Sequence, residues 1–134
     1  MSTPYLGEIR IVGFNFAAQG WSFANGAVLA ISQSDALFNL IGTTYGGDGV
    51  QTFALPNIQS RMPIHQGQGV GLSSRVIGQT GGSETASFVS APIPTSPQAP
   101  IQVLASSAPS VGSISPLLVI NFIIALEGIF PSQT

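Results

Sequence analysis

Leu117-Leu118-Val119-Ile120-Asn121-Phe122-Ile123-Ile124-Ala125-Leu126-Glu127-Gly128-Ile129-Phe130 is the longest apolar stretch of the 134-residue chain. A membrane-spanning helix needs about 20 apolar residues to cross roughly 30 Å of hydrocarbon, so this stretch is too short to span. Read with a period of two, Leu118, Ile120, Phe122, Ile124 and Leu126 form one wholly apolar face, and the other carries Asn121, Ala125 and Glu127. That alternation, with its β-branched content, predicts a strand over 117–130. Burial of one large apolar side chain contributes roughly 1.5–3 kcal/mol, so five on one face amount to about 10 kcal/mol gross. Such a face must be covered, which makes these five residues candidates for packing between subunits.

Outward from this stretch, the composition is equally β-like. With 16 Gly and 10 Pro the chain exceeds the usual shares of roughly 7% and 5%, which points to many turns between short elements. Hydrophobic residues are 44% and the net charge is −2, so neither half of the signature of disorder is present. The length suits one domain over 1–134, of α+β class and mostly β. Lysine is absent, and Arg10, Arg61 and Arg75 are the only strong cations. Phosphate binding rests on clustered cations, so nucleic acid is excluded as a main partner. Without cysteine there is neither a disulfide nor a thiolate metal site. The start Met1-Ser2-Thr3-Pro4-Tyr5 lacks the basic and apolar regions of a secretory signal. Ser, Thr, Gln and Gly must solvate a surface that has eight formal charges to offer. Little charge repulsion opposes association there, and self-association is the first functional expectation.

Along the chain, Leu6–Val12 alternates, with Glu8 and Arg10 on one face and Ile9 and Ile11 on the other, and reads as a half-exposed strand. A turn-rich stretch leads to Gly20-Trp21, and Asn25-Gly26 is a tight-turn dipeptide. Val28–Ile31 reads as a short strand. The one helix signal follows: Ser32 as cap, Asp35 in the first turn, and Leu37, Leu40 and Ile41 on one face, predicting a helix near 33–41 ended by Gly42. Thr43–Gly49 and Gly67–Gly82 are glycine-rich, but neither matches a phosphate cradle or a calcium repeat, and their glycines read as turn formers. Residues 92–116 hold six Pro and six Ser and no charge, a long Pro/Ser-rich loop inside the domain. Loops of that length are usually functional or disordered, and this one is the expected variable, partner-facing part.

Catalysis finds little support in the residues. His65 is the only histidine, so a Ser-His-Asp hydrolase would need it, with Asp35 or Asp48 orienting it and one of seventeen serines attacking, yet there is no G-x-S-x-G elbow. One histidine supplies too few ligands for a metal within one chain. Paired carboxylates would come from Glu8, Asp35, Asp48, Glu84 and Glu127. Asp35 is better read as a helix-start residue, Asp48 as a turn residue and Glu8 as a partner of Arg10. Trp21, Tyr5 and Tyr45 can stack on sugar rings, although packing is the commoner fate of aromatics. No catalytic residue, cofactor or metal is assigned.

Several segments assemble in one order: Leu6-Gly7-Glu8-Ile9; Gly20-Trp21 with Asn25-Gly26; Ala36-Leu37-Phe38; Leu40-Ile41-Gly42-Thr43-Thr44-Tyr45-Gly46-Gly47-Asp48-Gly49; Thr52-Phe53-Ala54-Leu55-Pro56-Asn57; and Gln66-Gly67-Gln68-Gly69. Gly78-Gln79-Thr80-Gly81-Gly82-Ser83-Glu84 and Asn121–Ser132 continue it. Together they strongly resemble the bacteriophage tail collar family, which includes the microcystin-dependent proteins of bacteria. The resemblance implies a non-enzymatic tail-fibre or tail-tip module, β-rich, often homotrimeric, carried on a virion or another extracellular particle and contacting a cell surface, with a glycan among the possible targets. It also implies a variable segment that often opens with Met-Pro-x-His-x-His, where this chain has Ala91-Pro92-Ile93-Pro94-Thr95-Ser96 and neither histidine.

Two readings follow from the resemblance. In the adhesin reading Thr95, Ser96, Gln98 and Gln102 contact the receptor or partner, and deleting 94–113 removes cell binding while assembly survives. In the alternative, the chain is a self-assembling subunit of an extracellular filament or contractile particle with no receptor role, and the same deletion removes assembly.

Overall fold

In a computed structural model, residues 3–87 and 110–133 are described. They fall into two compact units, one formed by residues 1–80 and 119–134 and the other by residues 81–118. The fold is α+β and mostly β, and the described residues form small antiparallel sheets and one short α-helix.

The first unit is organised around the strand drawn from the apolar C-terminal stretch. Strands β1 (Ile9–Val12), β2 (Trp21–Phe23), β3 (Val28–Ala30), β4 (Thr52–Ala54), β5 (Gly67–Gln68), β6 (Ser74–Arg75), β7 (Thr85–Ser87), β8 (Ser110–Gly112) and β9 (Asn121–Ala125) follow in chain order. β9 lies at the centre of a three-stranded sheet of order β1-β9-β2, with Ile11 opposite Phe122 and Trp21 opposite Ala125. The predicted strand over 117–130 is therefore shorter, and its pattern differs from a single apolar face. Ile123, Ile124 and Ala125 are all buried, because a central strand packed on both faces needs apolar residues at successive positions. Leu118 and Ile120 precede the strand and are exposed, at 86% and 42%. Ile124 belongs to the core of its own unit, and Leu126 packs against it.

The chain clamps β9 from its N-terminal side. Gly7 donates its N–H to the Ala125 carbonyl, the Ala125 N–H returns to Glu8, and Leu6 and Ile129 exchange with the segment opposite through Leu6 N–H to Ile129 O and Ile129 N–H to Pro4 O. Leu6 is thereby fixed in the core with Leu37, Phe53, Leu55 and Ile124.

β3 and β4 pair with Leu29 opposite Phe53. Between them a 3₁₀ turn (Ile31–Gln33) precedes α1 (Asp35–Ile41). The helix starts later than position 33, and Ser34 rather than Ser32 occupies the N-cap position, with no side-chain cap bond. Asp35 sits in the first turn, where its charge suits the helix dipole. At the other end Gly42, at φ 55°, donates its N–H to the Phe38 carbonyl and stops the helix. Leu37 is fully buried, and the Phe38 and Phe53 rings lie 5.6 Å apart, tilted by 54°. No strand is read at β2 or β4 from the sequence, since three residues are too few to show a period.

β5 and β6 form a separate two-stranded hairpin in the first unit, and β7 and β8 another in the second. β8 occupies part of the predicted 92–116 loop. Residues 88–109, with Thr95, Ser96, Gln98 and Gln102, lie outside the described residues.

Candidate functional site

The Thr43–Gly49 loop shows what its glycines do. Asp48 Oδ1 accepts the backbone N–H groups of Val50, Gln51 and Thr52, each at 2.9 Å. These bonds, with that of Thr52 first, lower the Asp48 carboxyl from its ordinary 3.8 to about 2. The loop returns directly into β4: Gly49 N–H bonds to Thr52 O and Ala54 N–H to Gly46 O. At Gly47, φ is 95°, and a Cβ would overlap the Phe53 Cα and stand 2.8 Å from the Thr52 carbonyl oxygen. The motif is thus a carboxylate-bound turn pressed against the core strand. Its N–H groups point to its own aspartate, which leaves no cradle for an external anion.

Glu8 is likewise committed. One carboxylate oxygen accepts Arg10 Nε at 2.8 Å and the other the Tyr5 N–H at 3.0 Å, so the hydrogen bond from Arg10, then that from Tyr5, lowers its pKa. The predicted pairing of Glu8 with Arg10 is present. The Arg10 guanidinium lies over the Trp21 ring, 5.0 Å from its centroid. One face of Trp21 is therefore taken, while Tyr5 remains exposed.

His65 is exposed, and its Nδ1 lies 2.7 Å from the carbonyl oxygen of the adjacent Gln66. With Ile64, Gly67, Gly69, Leu72, Ser73 and Arg75 it lines an open hollow of about 360 Å³ on the β5–β6 hairpin. Among the described residues no three His, Cys, Asp or Glu side chains gather as a metal site, and no helix is long and apolar enough to cross a membrane.

The surface itself is the dominant feature. Among the described residues, the buried apolar side chains include Leu6, Leu37, Phe53, Leu55, Ile123 and Ile124, whereas twenty-one large apolar side chains are exposed. Scattered exposed apolar residues are ordinary in a soluble protein, but contiguous ones mark contact surfaces. Among the described residues, two groups stand out, one joined by a ring contact and one gathered in a single stretch of the chain. Phe14 and Phe16 stack at 4.7 Å beyond the end of β1, on a loop held by Asn121 Nδ2 donating to the Phe14 carbonyl. From Met62 to Ile77, every large apolar side chain is exposed. Sequence reading missed this second group because its apolar residues are interspersed with glycine and follow neither a helical nor a strand period. Of the predicted packing residues, Leu118 and Ile120 lie at the surface and Phe122 is half-buried.

Residues 7–63 match the family model of the phage tail collar domain. No curated protein matches the chain. The matched stretch contains β1, β2, the helix, the Asp48 turn and the core residues Leu37, Phe53 and Leu55, whereas β9, which completes that core, comes from outside it. Over residues 7–63, somewhat less than half of its length, the chain is thus similar to the phage tail collar domain, in agreement with the resemblance read from its sequence.

Proposed function

We propose that the chain is a tail-fibre-like module that assembles with copies of itself, as a homotrimer, and contacts a cell surface through residues 92–116. Its setting is a virion or a related particle, and its other partners are the components of the tail. The observation that carries self-association is the exposure of large apolar side chains on a surface with few charges. Association removes such area from water and meets little electrostatic opposition. The reading involves no bond-breaking chemistry: Asp48, Glu8 and His65 each have local partners, and recognition proceeds by surface contact.

Cell contact is assigned to the uncharged Pro/Ser-rich segment with Thr95, Ser96, Gln98 and Gln102, whose hydroxyl and amide groups suit hydrogen bonding to a glycan. Deletion of 94–109, which spares β8, tests it. Cell binding should disappear while the sedimentation of the particle stays unchanged. Loss of assembly with the same deletion would replace this reading by the filament or scaffold reading, in which the segment packs against a neighbouring subunit.

A further inference from the structure

The segment from Met62 to Ile77 leaves every large apolar side chain it carries exposed. Met62, Ile64, Val70, Leu72, Val76 and Ile77 are each at least 55% exposed, and Val70 is fully so. Within the segment only His65 and Arg75 are ionisable. Among the described residues its two strands, β5 and β6, pair solely with each other, which leaves one edge of each without a strand partner there. An isolated two-stranded hairpin is marginal in water and needs a third strand or an apolar cover. Exposed edges are ordinarily protected by lysine, proline or a covering element, and neither strand contains Lys or Pro.

We infer that residues 62–77 are an interface between copies of this chain, in which the hairpin of one copy is covered by the neighbouring copy. This deepens the self-association reading proposed above and rests on it. Three observations select a second copy as the occupant. The six residues, taken at their exposed fractions, offer at most about 800 Å² in all, which is comparable to the area each partner contributes to a standard stable interface. The near absence of charge matches the cores of permanent homo-oligomer interfaces, not the polar contacts of transient ones. A hairpin that needs its cover in order to hold its shape needs it whenever the chain is folded, and another copy is present wherever the chain is made.

The test uses the full chain and measures mass in solution by sedimentation. Val70→Glu and Val76→Glu change exposed positions and should reduce the oligomer to monomer while Trp21, which lies outside the hairpin, keeps its native emission maximum. Val50→Glu, at a site 81% exposed elsewhere on the unit, should leave it intact. Because the chain has no native cysteine, Val70→Cys provides a second reading that needs no disruption. Its thiol should react with maleimide at least about tenfold more slowly in the assembled protein than after denaturation, as expected for a group at an interface core. Val50→Cys should react freely in both states. An oligomer that survives both glutamate substitutions, or a freely reactive Val70→Cys thiol in the oligomer, would overturn this assignment and leave self-association standing. A wild-type chain that is monomeric at every concentration would overturn both.

Discussion

Replacing Gly47 by alanine separates two roles that a glycine in a turn can have. At φ 95° any side chain is strained, at roughly 1–3 kcal/mol. A Cβ at this position also overlaps the Phe53 Cα and stands 2.8 and 2.9 Å from the Thr52 carbonyl oxygen and Phe53 amide, so β4 itself must shift. Phe53 is fully buried against Leu37, Leu55 and Ile124, and forced rearrangement in a packed core adds about 1–3 kcal/mol. Gly42→Ala is the matched comparison, since Gly42 also has positive φ but nothing lies within 4 Å of its Cβ. Gly47→Ala should therefore cost about 2 kcal/mol more than Gly42→Ala, which at a typical urea dependence lowers the midpoint by about 1 M. Fluorescence of Trp21, the only tryptophan, reports unfolding, with protomer concentration held fixed because association shifts apparent stability. Equal midpoints for the two variants would refute the view that the glycine-rich turn exists to let the loop lie on β4.

Asp48 gives a pH prediction. Its folded pKa is lowered to about 2, so its contribution is complete above the ordinary 3.8 and is lost as pH falls through about 2. Asp48→Asn should flatten the acid limb of the stability profile in that window, and an unaltered limb in pH-dependent melts would contradict the assigned bonds. Phe53→Ala should destabilise by about 3–5 kcal/mol, as a large core deletion does, and a thermal melt close to wild type would show that the core lies elsewhere. Arg10→Ala should shift Trp21 emission to the red by uncovering the ring and leave the unfolding midpoint nearly unchanged, because exposed ion pairs contribute little. An unchanged emission maximum would show that the guanidinium does not shield the ring.

What the sequence disclosed depended on whether a local rule acted alone. Gly42 stops the helix because backbone chemistry at that position suffices, and Glu8 meets Arg10 because a strand places them on one side. The Asn25-Gly26 turn also forms, with Gly26 at φ 80° and the Asn25 side chain accepting the Ala27 N–H. β9 was recognised as a strand, but alternation suggested one buried face. β9 lies between β1 and β2 and is buried at three successive positions, 123–125, and that tertiary fact has no signature in a short apolar run. Ser32 looked like the cap, yet the 3₁₀ turn at Ile31–Gln33 moved the helix start to Asp35. β2 depends on β9, with which it pairs from the far end of the chain. The exposed surface over 62–77 was hidden for a different reason. Apolar residues were expected inside, and neither composition nor period distinguishes a core residue from one that waits for a neighbouring subunit.

Sedimentation of the purified chain over a range of concentrations, at about 0.05 M and 0.5 M salt, addresses the central claim most directly. Ionic contacts would be screened over that range, whereas association through an uncharged apolar surface predicts a persistent oligomer whose size is the same at both salt concentrations. A monomer throughout, or an oligomer that dissolves as salt rises, would contradict it.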